Sequence, residues 1–161
     1  MPAATLSRFR PIAALAGLLA LAACDTAPIV DPVGEGVEGL TPGDLADARA
    51  AWAERGAGAY RIAYVRFCEC GRDTAGPWTV EVRDGAVVEA RSNEEPAEPG
   101  EALTVERLFE TIESGFEEDA AYVWFRYDPA TGLPLAASID YVEEMADEEF
   151  SVQVRGFRAI P

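Results

Sequence analysis

The spacing of apolar residues changes along this chain, and each change marks an element. Leu45, Ala48 and Trp52 recur at helical spacing. They follow Thr41-Pro42-Gly43-Asp44, which supplies an N-cap hydroxyl, a proline at the first helical position and an acid in the first turn. Gly56 stops this helix. From Tyr60 the period drops to two. Tyr60, Ile62 and Tyr64 alternate with Arg61, Ala63 and Val65, and Trp78, Val80 and Val82 alternate with Thr79, Glu81 and Arg83. Asp84-Gly85 offers the pair of positive-φ residues that a two-residue hairpin needs, which returns the chain as a third strand over 86–91. Residues 92–101, with four glutamates and two prolines, read as a solvated loop.

The same order of elements then recurs. Thr104 caps a helix whose apolar face is Val105, Leu108, Phe109, Ile112 and Phe116. Three strands follow, near 122–127, 135–141 and 150–157, the first two joined by Asp128-Pro129-Ala130-Thr131-Gly132. The pattern predicts an α+β domain: one antiparallel sheet of about six strands with two helices on one face, in the order αβββαβββ. Doubled helix-plus-meander architectures in periplasmic inhibitor and peptidase-associated domains resemble this order, a likeness of fold alone.

The N-terminal stretch has a different pattern. Arg8 and Arg10 precede an apolar run over 12–23, too short for a permanent span of ~20 residues but suited to a secretory signal. Leu21-Ala22-Ala23-Cys24 resembles a bacterial lipobox, which implies that the Cys24 sulfur receives a diacylglycerol and that the chain is cut before it. The expected organisation is a signal peptide over 1–23, a lipidated tether rich in proline, glycine and acids over 24–41, and a single domain over 42–161. The protein is then expected to be held in the cell envelope by its lipid and to face the periplasm, with Asp25 slightly favouring the inner membrane.

Charge and composition narrow the partners. The chain has 29 acids against 13 basic residues, a formal −16 that becomes −18 once Arg8 and Arg10 leave. Such a surface disfavours nucleic acid and anionic headgroups and leaves an envelope protein or component as the expected partner. Neither histidine nor lysine occurs. Ser-His-Asp and Cys-His catalysis and Schiff-base chemistry are therefore excluded, and no cofactor is expected.

Three groups are candidates for chemistry. Cys68 and Cys70 remain after lipidation takes Cys24, an even number in an oxidising compartment, so a bridge is the natural expectation. Residues two apart on a strand lie ~6.6 Å from each other, at the upper edge of the Cα separations a disulfide tolerates, so a bridge requires a kink that Gly71 helps provide. A strained link would be oxidising, which keeps a thiol–disulfide enzyme open, although Glu69 opposes thiolate formation. Metal thiolates and free thiols are the remaining readings. The second group is the acidic connection after the seventh expected element, with Asp128 at the preceding turn; Asp128, Asp140, Asp147 and Glu148 are the weak calcium candidates. No Asp-x-Asp-x-Asp-Gly loop is present, and a solvated acidic loop explains the cluster as well. The third is the aromatic strand 122–127. Both of its faces carry large side chains, so either Tyr122 and Trp124 or Val123, Phe125 and Tyr127 must lie on the sheet face that the helices leave open.

The series Trp52, Tyr60, Cys68-x-Cys70, Asp84-Gly85-x-Val87, Thr104, Leu108-Phe109, Tyr127-Asp128-Pro129, Gly132-x-Pro134, Ile139-Asp140 and Asp147-Glu148 resembles a family of short bacterial lipoproteins described only as a domain of unknown function. Leu133 departs from the aromatic residue expected between Gly132 and Pro134. The resemblance implies an envelope protein and carries no catalytic residues across. The leading expectation is a non-enzymatic binding module, with a thiol–disulfide protein using Cys68 and Cys70 and a calcium-binding protein as alternatives.

Overall fold

The computed structural model describes residues 36–68, 72–142 and 149–161. In chain order its elements are β1 (Val37–Gly39), α1 (Pro42–Arg55), β2 (Ala59–Phe67), the single turn α2 (Arg72–Ala75), β3 (Trp78–Arg83), β4 (Ala86–Ser92), β5 (Glu95–Pro96), a 3-10 turn (Pro99–Glu101), α3 (Val105–Glu117), β6 (Tyr122–Tyr127), β7 (Pro134–Asp140) and β8 (Glu149–Ala159). The strands form one antiparallel sheet in the order β1-β6-β7-β8-β2-β3-β4-β5.

This corrects the expected sheet of about six strands in the order αβββαβββ: there are eight strands, and with the two long helices the order is βαββββαβββ. The two additional strands are very short. β1 falls inside the stretch read as a tether and pairs Val37, Glu38 and Gly39 with Tyr127, Arg126 and Phe125. β5 falls inside the loop read as solvated and pairs Glu95 and Pro96 with Ser92 and Arg91. Neither has an alternating apolar pattern. A two- or three-residue strand is held by the ladder its neighbour offers rather than by a face of its own to bury.

Local chemistry sets the helix starts. The Thr41 hydroxyl accepts from the Asp44 amide, and the Asp44 carboxylate accepts from the Thr41 amide and hydroxyl and from the Leu40 amide. This capping box satisfies donors that the helix cannot, and it holds the Asp44 carboxyl below its ordinary value, chiefly through the Thr41 side chain. At α3 the Thr104 hydroxyl accepts from the Arg107 amide. The hairpin between β3 and β4 turns on Asp84 and Gly85, with φ of 50° and 74°.

Both helices cover the sheet face that carries Tyr60, Ile62, Tyr64, Trp78, Val80, Val82, Phe125, Ile139, Val152 and Val154, all buried. Trp52 of α1 meets Tyr60 and Phe157 edge-on at 5.6 and 5.7 Å. α3 comes so close over β6 and β7 that a Cβ on Gly115 would lie 3.0 Å from Ile139 and 3.1 Å from Val123. Complete burial of each such side chain stabilises the fold by about 1.5–3 kcal/mol. The two halves join where β8 pairs along β2, from Ser151 opposite Phe67 to Ala159 opposite Tyr60, with a bulge at Ala63/Tyr64.

Candidate functional site on the open sheet face

With both long helices on one face, the alternation of the strands sends every second residue to the other. On β6 these are Tyr122, Trp124 and Arg126. Phe125, between them, is fully buried on the helix side, whereas Tyr122 is 52% exposed and Trp124 is half-buried. Of the two arrangements the sequence allows, the structure takes the one with Tyr122 and Trp124 outward.

The ladder register arranges this face in rows. Tyr122 stands opposite Asp140, and Asp140 opposite Glu149. In the next row Trp124, Ser138, Ser151 and Phe67 follow one another across β6, β7, β8 and β2. In the third row come Arg126, Ala136, Gln153 and Val65, with Glu38 of β1 beside Arg126. The middle of the face is therefore low: Ser138 and Ser151 hydrogen-bond to each other at 2.9 Å, and Ala136 adds only a methyl group. Trp124 and the exposed Phe67 rise on either side, three strand spacings or ~14 Å apart.

Farther along the sheet lies an ion-pair network. Arg61 and Arg83 converge on Glu81 at 2.6 and 2.8 Å. Glu89 lies 3.8 Å from both Arg61 and Arg91. The Arg61 guanidinium, then that of Arg83, lowers the Glu81 pKa from its ordinary value. Arg126 pairs with no acidic side chain among the described residues, and its buried Nε, like those of Arg61 and Arg66, has no hydrogen-bond partner.

The other candidate positions separate. Cys68 follows β2, is exposed and is not without a partner; Cys70 lies outside the described residues, as do Cys24, Asp147 and Glu148. Asp128 spends both oxygens on its own turn, Oδ1 accepting from the Ala130 amide at 2.9 Å and Oδ2 from the Thr131 hydroxyl at 2.7 Å. Asp140 accepts from the Val142 amide through Oδ1 at 3.1 Å. The two are at opposite ends of the β6–β7 ladder, since Asp140 faces Tyr122 while Asp128 follows Tyr127. Among the described residues no group of three or more Cys, Asp and Glu side chains is placed to hold a metal ion.

One polar cluster was not read from the sequence. Glu106, in the first turn of α3, accepts from Trp52 Nε1 at 3.1 Å and from Tyr60 Oη at 2.7 Å, and Tyr60 Oη accepts from the Val105 amide at 2.9 Å. Burial, then the Glu106 hydrogen bond, raises the Tyr60 pKa well above its ordinary value. Beside this cluster is a hollow of about 400 Å³ between the β3–β4 hairpin and α3. Within its lining, Arg107 donates to the Gly100 and Ala102 carbonyls at 2.7 and 2.8 Å. The cluster ties α1, β2 and α3 together.

The chain belongs to a family of unknown function, DUF6174, whose model matches residues 44–159. The match begins within α1 and takes in α3 and all strands from β2 to β8. No curated protein and no solved structure matches the chain. No described helix is long and apolar enough to cross a membrane.

Proposed function

We propose that this protein is a lipid-anchored bacterial envelope protein that acts as a non-catalytic binding module, using the open face of its sheet. The observation that carries the binding role is the placement of Tyr122 and Trp124 on the face opposite both long helices, around a low floor of Ser138, Ser151 and Ala136. Aromatic side chains bury large area at little entropic cost and concentrate at the centres of interfaces. The anchor reading rests on the Arg8/Arg10 start, the apolar run and Leu21-Ala22-Ala23-Cys24. In an oxidising compartment, Cys68 and Cys70 are read as a bridge that pins the end of β2.

Site-specific photo-crosslinking in the bacterial envelope tests the binding role. A crosslinker at position 122 or 124 should capture an envelope protein that one at exposed Ala50 of α1 does not. Equal capture from both sites, or none from the sheet, removes the reading. For the anchor, Cys24→Ser should release the protein from membranes, and mass spectrometry of the native chain should find a diacylglyceryl group on Cys24. A thiol titration under native conditions should find neither Cys68 nor Cys70 reactive.

A further inference from the structure

We infer that the groove between α1 and α3 receives a basic polypeptide segment, with apolar side chains over its floor and a partner cation beside Glu117 at the C-terminal end of α3. The groove is on the helix side of the sheet, so the inference stands apart from the binding role of the open face.

Contacts between the two helices set its shape. Arg49 donates to Glu113 at 3.0 Å and Trp52 to Glu106 at 3.1 Å, so α1 and α3 run antiparallel. Between Arg49 and the start of α1 the helices leave a hollow of about 310 Å³, floored by buried Leu45 and half-buried Phe116 and edged by exposed Pro42 and Ala46. On α1 these residues keep the three- and four-residue spacing that puts side chains on one face. Arg49 closes one end, lying over the Phe109 ring at 5.6 Å while it holds Glu113. Glu117 stands exposed at the other.

Charge selects the occupant. The eight strands carry seven arginines and six acids, whereas α1 and α3 carry three arginines and seven acids. The acidic excess of the domain therefore falls on the helix layer, and it is sharpest at this groove. A helix C-terminus carries partial negative charge and favours cations, yet the last turn of α3 holds no basic residue. Glu117, with Glu118 and Asp119 just past the helix, pairs with no arginine among the described residues. The start of α1 alongside has its own partial positive charge met by Asp44. A guanidinium or ammonium group brought beside Glu117 meets a carboxylate and a helix end together.

Other occupants fit less well. Among the described residues no group of three or more Cys, Asp and Glu side chains is placed to hold a metal ion. A second copy of this chain brings more negative charge, as do its own residues 25–35, with Asp25, Asp31 and Glu35 and no basic residue. Nucleic acid and anionic lipid do the same. A polypeptide with arginine or lysine flanking apolar side chains matches floor and rim at once.

The test uses the full chain in non-ionic detergent and the fluorescence anisotropy of labelled dodecapeptides, with a detergent-only titration subtracted. The parent probe carries arginines around a central pair of leucines. In one counterpart glutamine replaces the arginines, and in another serine replaces the leucines. The parent probe should bind at least tenfold more tightly than either counterpart and weaken as salt rises. Ala46→Arg, which adds bulk and positive charge at the edge of the groove, should lose at least tenfold. Glu117→Gln should lose about threefold, whereas the same change of charge at exposed Glu95 of β5, Glu95→Gln, should match the parent. Circular dichroism checks that each variant is folded. Equal affinity for the arginine and glutamine probes, no measurable binding of the arginine probe, or full affinity in Ala46→Arg overturns the inference. So does a serine probe that binds as tightly as the parent probe, or an equal loss in Glu117→Gln and Glu95→Gln. Ala50, the comparison position for the open-face crosslinks, is not among the residues lining the groove, so failure here leaves the open-face reading standing.

Discussion

The Tyr60 hydroxyl donates a hydrogen bond to Glu106 across 2.7 Å, joining the central strand β2 to the first turn of α3. The same oxygen accepts from the Val105 amide at 2.9 Å, so one buried hydroxyl serves the helix as both donor and acceptor. A helix start carries amides without intrahelical partners, and here a side chain from the sheet meets one of them.

Tyr60→Phe keeps the ring and removes both bonds. Glu106 is exposed and can turn to water, but the Val105 amide is buried and left without an acceptor. The expected loss is about 1–3 kcal/mol, read as a lower urea midpoint. The pH dependence has a definite sign. The folded pKa of Tyr60 is raised, so its contribution is complete below the ordinary value of 10.0 and is lost as pH rises toward the folded value. Thermal midpoints above pH 10 should therefore fall less steeply in Tyr60→Phe than in the parent.

Gly132→Ala should be the more damaging of two glycine substitutions. Gly132 has φ of 76°, and an added Cβ would lie 2.0 Å from the Ala48 carbonyl oxygen and 2.5 Å from the Trp52 amide nitrogen, both backbone atoms of α1. Strain and overlap together should cost about 3–5 kcal/mol. Gly85→Ala has a similar φ of 74° but meets nothing within 4 Å, so its cost should be about 1–2 kcal/mol. Denaturant unfolding of the two variants side by side separates the β6–β7 turn's grip on α1 from the strain of the conformation itself.

Glu81→Gln tests the ion-pair network through acid. Arg61 and Arg83 lower the folded pKa of Glu81, so its contribution is present above the ordinary value of 4.5 and is lost as pH falls through the folded value. The parent should exceed the variant in thermal midpoint at pH 7, and the gap should narrow progressively as pH falls below 4.5. A gap that stays constant across that range would show that the charge of Glu81 contributes nothing.

Asp128→Ala should cost about 1–2 kcal/mol by removing the two hydrogen bonds that close its turn. Because both carboxylate oxygens are used there, millimolar calcium should raise the thermal midpoint of neither parent nor variant. A site that bound calcium only in the folded state would raise it as the ion concentration passed its dissociation constant.

Much of the fold could be read from short-range chemistry. Thr41 and Thr104 mark helix starts because a hydroxyl there meets orphan amides, and Asp84-Gly85 marks a hairpin because few residue pairs accept two positive φ values. β1 and β5 carried no such signal. Val37–Gly39 and Glu95–Pro96 become strands only because β6 and β4 offer edges, a fact that lies elsewhere in the chain. The candidate site follows the same division. Alternation along 122–127 narrowed the outward residues to two sets, but only the packing of α3 over Val123 and Ile139 decides between them. Arg126 had no local mark at all, because what surrounds it depends on the two strands that flank β6. Glu106 looked like any acid in a first turn, and its two partners are 46 and 54 residues away in sequence.

The brevity of the outermost strands has a consequence for crowding. A long, flat sheet edge templates another chain and leads to fibrils. Here the sheet closes on three residues at β1 and on two at β5, where Pro96 has no amide hydrogen to offer. β4, which β5 covers only at Ser92 and Arg91, is interrupted by a bulge between its pairings to Glu81 and Val82. Copies packed densely side by side thus find little ladder to extend, and concentrated solutions should resist the shear-induced aggregation to which open-edged sheets are prone.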